Sequence, residues 1–198
     1  MRSVGSRCAA IAHAAIGSNG EPLSKIRAFS EILDSGIAEA ADVACMKFCY
    51  IDISRETDVR KLFAAYSDSM TALLSRHPNL TLIHFTVPLT RNEGRLKSLA
   101  KLVLGKPLSD KLDNIARNEY NALLVARYQG LEPIFDLAGA ESATAEGTRA
   151  SFTHAGTEYL VLSPRYTDDG SHLNDLGRRA VGAEFLAALG EPAKAHLR

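Results

Sequence analysis

One short polar stretch carries the residue types that proton-transfer chemistry needs. Asp169 lies three residues before His172, in a turn-forming context that leads directly into a predicted helix. A carboxylate this close can accept a hydrogen bond from one imidazole nitrogen and fix the tautomer, which leaves the other nitrogen free to act as a base. Asn174 is predicted to cap that helix, and Gly177 to permit close packing of the helix against the sheet. The alternative is a helix-capping loop with a surface histidine. On spacing alone, both interpretations stay open.

Strand-like and helix-like segments alternate along the chain around this stretch. Four apolar runs are typical of buried strands, at residues 8–16, 43–53, 80–87 and 134–137. Four segments with apolar residues at helical spacing predict helices, from Pro22, over 57–76, over 109–129, and from near Asn174 onward. Residues 139–157 are rich in Gly, Ala, Ser and Thr and predict a loop or small hairpin, with Tyr159–Leu162 as one of its strands.

This alternation predicts the architecture, because parallel neighbouring strands need a long crossover connection between them. Right-handed crossovers place helices on both faces of one open sheet. We therefore expect one domain over residues 1–198, an α/β fold of the three-layer α/β/α sandwich type with a mostly parallel, flavodoxin-like sheet. Reactive groups collect beyond the carboxyl ends of such strands. The loops that we expect to form a site follow Ile16, Tyr50, Val87, Leu137 and Leu162.

Composition and charge exclude several other classes of protein. The 198 residues are 46% hydrophobic and 23% charged, as in an ordinary soluble globular domain. Lys and Arg total 23 and so do Asp and Glu, a balance that does not favour nucleic-acid binding. No apolar run reaches the ~20 residues of a membrane span. Cys45 and Cys49 fall in one predicted strand, and with Cys8 we interpret them as small buried hydrophobes rather than as disulfides or zinc ligands.

The stretch Asp169-Gly-Ser-His172-Leu-Asn174-Asp-Leu-Gly177 resembles the last conserved block of the SGNH (GDSL-type) hydrolases. In that family a D-x-x-H sequence precedes the final helix and supplies two members of a Ser-His-Asp triad. The predicted strands that end at Val87 and near Asp136 fall where the family has its last two parallel strands, and the likeness covers residues 8–190. The resemblance implies the family's sheet and a triad that contains Asp169 and His172, and it requires no metal or cofactor.

The resemblance also implies a reaction, the hydrolysis of an ester of a small acyl group or a carbohydrate. A serine attacks the carbonyl, His172 removes its proton, and Asp169 steadies the imidazolium, while N–H donors hold the oxyanion. Gly17, with Ser18-Asn19-Gly20 after it, matches the family's second block by position. A glycine there lets the backbone approach the substrate closely. The alternative for this segment is a plain strand-to-helix turn.

The third block of the family, G-x-N-D, has no counterpart here, because the strand from Met46 to Asp52 contains no asparagine. Asn19, Lys47 or Tyr50 could supply the missing donor, and the sequence does not choose among them. We predict Asn19 and Tyr50, together with Gly17, as the oxyanion or substrate-binding residues.

The nucleophile block is poorly represented. Ser3-Val4-Gly5 resembles the Ser-x-Gly of some divergent subfamilies, which makes Ser3 the candidate nucleophile and Ser6 a second one. Only 13 residues separate Ser3 from Gly17, whereas a crossover needs a dozen or more in addition to the next strand. The family's first strand would then be missing from the sheet. Either residues 8–16 fill its place, or the neighbouring strands close up, or the chain is a fragment whose start lies upstream.

Two functions of different classes follow from these observations. One is a carboxylic-ester hydrolase of the SGNH type, and the other is a truncated or degenerate, non-catalytic domain that binds a ligand in the same cleft or is inactive. We expect a cytoplasmic protein from this start, or an exported one if an upstream signal segment is missing. The sequence specifies neither the substrate nor the oligomeric state. His13 and His84 are expected to be packed histidines, and Glu141 to lie in a turn at the functional edge.

Overall fold

The computed structural model describes residues 10–92 and 109–195, in which helices and strands alternate. The helices are α1 (Pro22–Ile32), α2 (Ala38–Ala40), α3 (Val59–Arg76), α4 (Ser109–Tyr128), α5 (Leu137–Ser142) and α6 (Asp175–Ala195). The strands are β1 (Val43–Met46), β2 (Thr81–Phe85), β3 (Ile134–Phe135), β4 (Ser151–His154) and β5 (Thr157–Leu160). A π-helical turn (Leu33–Ile37) joins α1 to α2, and two 3-10 turns, Tyr50–Asp52 and Pro164–Tyr166, lie between β1 and α3 and between β5 and α6.

The main sheet has three parallel strands in the order β1-β2-β3. In its register Val43 lies opposite Thr81, and His84 lies opposite Ile134. Strands β4 and β5 form a separate antiparallel hairpin. The predicted parallel α/β sheet and the small hairpin are both confirmed. None of the helices among the described residues is long and apolar enough to cross a membrane.

Helices cover both faces of the sheet, which confirms the three-layer sandwich. Successive side chains of a strand point to opposite faces, and in β2 Leu82 packs under α1, α3 and α4 whereas Ile83 packs under α5 and α6. The α6 side is an aromatic cluster in which the rings of Phe85, Phe135 and Phe185 lie 5.1–5.3 Å apart, centroid to centroid. The two cores hold the strands in place from both sides, so the loops at the strand ends have a fixed support.

The predicted strand over residues 8–16 is wrong for its described part. Residues 10–16 have no regular secondary structure, and Ile11 is 80% exposed. A strand needs a neighbour that pairs with its backbone N–H and C=O groups, and no described strand pairs with this segment. An apolar run alone therefore did not suffice to make a strand. Ser3, Ser6 and Cys8 lie outside the described residues.

Two other predicted boundaries differ from the structure. The strand predicted over 43–53 ends at Met46 and is followed by the 3-10 turn, so that Cys45 lies in β1 and Cys49 beyond it, both partly buried. Residues 137–142, expected to be the end of a strand and a loop, form helix α5. The Asp136 side chain accepts the backbone N–H of Gly139 and caps this helix. The cap stabilises the helix start, so the residues after Asp136 form a helix and do not continue the strand.

Candidate active site

The loop that contains Asp169 and His172 lies at the carboxyl ends of the parallel strands. Arg91, in the segment after β2, donates its backbone N–H to the Gly170 carbonyl at 2.8 Å. The ring of Tyr50, in the turn after β1, meets the His172 ring edge-on, with the centroids 5.6 Å apart. Loops from two strands thus converge on one place, the edge at which open α/β sheets hold their reactive groups.

Asp169 and His172 are in direct contact. Oδ2 of Asp169 lies 2.7 Å from Nδ1 of His172, and Oδ1 accepts the backbone N–H groups of His172 and Ser171, each at 2.8 Å. The backbone N–H of His172, then its ring, then the N–H of Ser171 hold the pKa of Asp169 well below its usual range. The carboxylate is therefore ionised at neutral pH and fixes the ring, and Nε2 of His172 forms no hydrogen bond to any described residue.

This pair is open to solvent, since 70% of the His172 side chain and 56% of the Asp169 side chain are exposed. Water screens an exposed ion pair strongly, so the contact contributes little to stability by itself. The contact instead orients the ring. The Asp169 carboxylate is held by the backbone N–H groups of Ser171 and His172 and by the Thr167 hydroxyl, and it fixes the position of the imidazole through Nδ1. An exposed Nε2 is also accessible to a substrate or to a hydroxyl from elsewhere in the chain.

The start of α6 supports the loop from below. Oδ1 of Asn174 accepts the backbone N–H of Gly177 at 3.0 Å, which confirms the predicted helix cap. A Cβ atom at Gly177 would lie 2.8 Å from the carbonyl oxygen of Tyr166, so the predicted close packing is against this 3-10 turn rather than against the sheet. Any larger side chain would push the helix start, and the histidine loop with it, away from the strands.

The Gly17–Gly20 turn precedes α1 and is shaped by its own contacts. Gly17 has φ +50°, and a Cβ there would lie 2.6 Å from the backbone nitrogen of Lys25. Ser18 donates its backbone N–H to Oγ of Ser24 at 2.9 Å. The turn itself thus requires glycine. A role for Gly17 in holding an oxyanion stays a prediction.

Asn19, in the same turn, contacts a buried ion pair. Its Oδ1 accepts a hydrogen bond from Nζ of Lys25 at 2.7 Å, and the same Nζ lies 2.6 Å from Oδ2 of Asp52. Sequence reasoning missed both Lys25 and Asp52. The sequence signal for a buried lysine was the position of Lys25 in α1, next to the apolar residues Ile26 and Phe29, which are also buried.

The ring of Tyr50 lies between His172 and a buried arginine. The guanidinium carbon of Arg117, on α4, is 5.6 Å from the Tyr50 ring centroid, and its Nε donates to the Tyr50 carbonyl at 2.9 Å. Nη1 of Arg117 also donates to Oγ1 of Thr90, after β2, at 3.0 Å. This side chain joins the segments after β1 and β2. It was not predicted, because a single arginine in a helical pattern is usually solvated.

Comparison with known proteins identifies the fold. No protein-family model matches the sequence, and no curated protein matches it by sequence. A GDSL-like lipase from Bacteroides thetaiotaomicron superposes with a TM-score of 0.57 at 14% identity, covering 88% of this chain and 73% of the lipase. A proposed acylhydrolase from Bacteroides fragilis gives 0.56 at 15% identity, covering 86% of this chain and 70% of the other. The chain has the SGNH (GDSL-type) hydrolase fold. At these identities the likeness describes the fold alone.

Within the SGNH fold, the structure brings together four of the six predicted site residues as two neighbouring groups. Asp169, His172 and Tyr50 form one group. Asn19 joins the other through Lys25 and Asp52, and Asp52 belongs to the same 3-10 turn as Tyr50. Gly17 is close in sequence to Asn19, whereas Ser3 lies outside the described residues. Lys47, an alternative donor, is exposed and donates to the Phe48 carbonyl at 3.3 Å.

We predicted that Glu141 lies in a turn at the functional edge. In the structure it belongs to helix α5, and its side chain is buried. It accepts the backbone N–H of Leu89, beyond β2. Burial raises the pKa of Glu141 to about 8, although the Leu89 N–H and the charges of Lys47 and Arg117 act in the opposite direction. At neutral pH this carboxyl is therefore mostly protonated, behind the segment that supports the histidine loop.

His84 is a packed histidine, as predicted, whereas His13 is exposed in the segment that forms no strand. Nδ1 of His84 lies 2.8 Å from the hydroxyl of Tyr66, and Nε2 lies 2.9 Å from Oε2 of Glu132. Burial lowers the pKa of His84, while Glu132 opposes that shift. A hydroxyl, an imidazole and a carboxylate are the components of a triad, but this imidazole is completely buried and no substrate can reach it.

Proposed function

We propose that this chain is an SGNH-type hydrolase of carboxylic esters, in which Asp169 and His172 form the base. The observation that carries the proposal is the 2.7 Å contact between Asp169 Oδ2 and His172 Nδ1 at the carboxyl ends of the strands, with Nε2 left unoccupied by described residues. This arrangement selects the tautomer that accepts a proton at Nε2. The similarity of the fold to a GDSL-like lipase supports the same reaction class.

The proposed reaction has two halves. A serine hydroxyl, for which Ser3 is the candidate, attacks the ester carbonyl while Nε2 of His172 takes its proton, and the ionised Asp169 stabilises the imidazolium. His172 then gives this proton to the departing alkoxide. Water, activated by the same nitrogen, hydrolyses the acyl-enzyme and restores the serine. The Gly17 N–H and the Asn19 side chain are the proposed oxyanion donors, and the reaction needs no metal.

The proposed substrate is an ester of a small acyl group or of a carbohydrate. Tyr50 forms an aromatic wall beside His172, and an aromatic face or edge of this kind suits an acyl group or the apolar side of a sugar ring. A non-catalytic, ligand-binding domain is the second candidate. It is favoured by one observation: among the described residues no serine hydroxyl is hydrogen-bonded to His172.

A serine-reactive fluorophosphonate probe separates these two functions. We expect the folded chain to be labelled at one serine, identified as Ser3 by peptide mass spectrometry, because only a serine beside a base is nucleophilic enough to react. Ser3→Ala should abolish the labelling. The matched variant Ser151→Ala, in the hairpin, should leave it unchanged. A folded protein that the probe does not label would instead establish the non-catalytic candidate.

A further inference from the structure

Lys25 is a buried cation that contacts Asn19, one of the predicted site residues. It lies in the first turns of α1 and is only 6% exposed. Its Nζ is shared between Oδ2 of Asp52 at 2.6 Å and Oδ1 of Asn19 at 2.7 Å. A buried ion pair is weak evidence for stability, since the cost of removing both charges from water often cancels their attraction. The pair therefore suggests another role, which its other contacts specify.

Asp52 ties two loops of the site to this lysine. Its side chain is fully buried; Oδ1 accepts the backbone N–H of Gly20 at 2.8 Å, and Oδ2 accepts that of Cys49 at 2.6 Å in addition to Lys25. Gly20 belongs to the turn that carries Asn19, and Cys49 precedes Tyr50, whose ring contacts His172. The ion pair thus fixes the turn with Asn19 relative to the turn with Tyr50.

The chemistry of the ammonium group determines how the Asn19 amide is oriented. A lysine ammonium is a donor without acceptor capacity. The amide oxygen of Asn19 must therefore face Nζ, and the amide nitrogen must face away from it. Asn19 is exposed, and its Nδ2 forms no hydrogen bond to any described residue. Two N–H donors are held in one orientation at the edge of the site without an internal acceptor.

We propose that Lys25, held by Asp52, is a positioning residue that presents Nδ2 of Asn19 to the oxyanion. This proposal rests on the proposed function, because an oxyanion donor has meaning only in a hydrolase. It selects Asn19 among the three donors that the sequence left open. Preorganised donors are effective because they need no reorientation when the charge develops, and a charged partner on the amide oxygen supplies that preorganisation here.

The kinetic test uses variants that avoid an unpaired buried charge. Lys25→Met/Asp52→Asn neutralises both partners, Asn19→Ala removes the donor, and a triple variant combines them. With p-nitrophenyl acetate as substrate, we expect Asn19→Ala to lower kcat by about 10- to 100-fold. This loss is smaller than that for a buried oxyanion donor, because Asn19 is exposed to solvent. The double variant should lower kcat in the same range with KM nearly unchanged, and the triple variant should be no slower than Asn19→Ala. Wild-type kcat in the folded double variant, or losses that multiply in the triple variant, would overturn the proposal.

A second readout does not depend on activity. In 15N-labelled protein, the side-chain amide signal of Asn19 is the one that Asn19→Ala removes. We expect that signal to shift clearly in Lys25→Met/Asp52→Asn, because the charged partner of its oxygen is lost. An unshifted signal would show that Lys25 does not orient the amide. Failure of the hydrolase proposal is seen separately, as absent fluorophosphonate labelling, whatever this spectrum shows.

Discussion

Replacing His172 with alanine is expected to lower kcat/KM for ester hydrolysis by about 10²- to 10⁴-fold, the usual contribution of a positioned general base. The reason is geometric. Nε2 of His172 is the unoccupied nitrogen of a ring that Asp169 holds through Nδ1 at 2.7 Å, and the structure offers the nucleophile no second accessible imidazole in this loop. Steady-state hydrolysis of p-nitrophenyl acetate measures the loss.

The matched control for this variant is His154→Ala. His154 is an exposed histidine in β4, outside the loop that contains Asp169 and His172, and its loss should leave kcat/KM unchanged. Unfolding midpoints of both variants should stay near that of the wild type, since an exposed ion pair contributes about 0–1 kcal/mol. Turnover retained in full by His172→Ala would remove His172 from the mechanism.

The second large effect concerns stability and pH. Burial raises the pKa of Glu141 to about 8 from a usual 4.5. Between these values the unfolded chain loses the Glu141 proton while the folded chain keeps it, so deprotonation favours unfolding. The contribution of Glu141 to stability is therefore fully present below pH 4.5 and is lost as the pH rises towards 8. At about 1.4 kcal/mol for each pKa unit, the loss amounts to several kcal/mol.

We expect Glu141→Gln to remove most of this dependence, so that it gains stability over the wild type as the pH rises from 5 to 8. Urea unfolding at several pH values gives the free energy of unfolding of each protein. In the difference between the two free energies, the contributions of other titratable groups cancel. His84 is one such group: its lowered pKa makes stability fall as the pH drops below about 6.5. Glu119→Gln, at an exposed site of α4, is the control. Parallel pH curves for Glu141→Gln and the wild type would show that Glu141 is ionised in the fold.

The sequence predicted those parts of the fold and site that depend on local pattern. The run from Leu80 to Val87 predicts a buried strand, and β2 (Thr81–Phe85) lies within that run and packs against helices on both faces. The contact of Asp169 with His172 spans three residues in one loop, so the spacing permits it, and the resemblance to the last SGNH block favours it over a plain capping loop. The cap at Asn174 is equally local.

The parts that sequence did not predict depend on partners distant in the chain. Lys25 and Asp52 are 27 residues apart, and Arg117 is 67 residues from the Tyr50 carbonyl that it contacts. A lone charged residue in a helix is usually solvated, and no periodicity reports which one is buried against a partner. The same limit explains why a strand was wrongly predicted at residues 10–16. An apolar run does not reveal whether another strand is present to pair with it.

The role of Asp169 in orienting His172 is tested most directly by comparing kcat for Asp169→Asn and Asp168→Asn. Asparagine at 169 can still accept the backbone N–H groups of the turn, but its amide can donate to Nδ1 and favour the tautomer that is no longer a base at Nε2. We predict that Asp169→Asn lowers kcat by at least about tenfold. Asp168→Asn is the matched control, because the Asp168 carboxylate is hydrogen-bonded to Asn174 and to no other described residue. We expect Asp168→Asn to change kcat by less than about twofold. Equal kcat values in the two variants would contradict a base formed by Asp169 and His172.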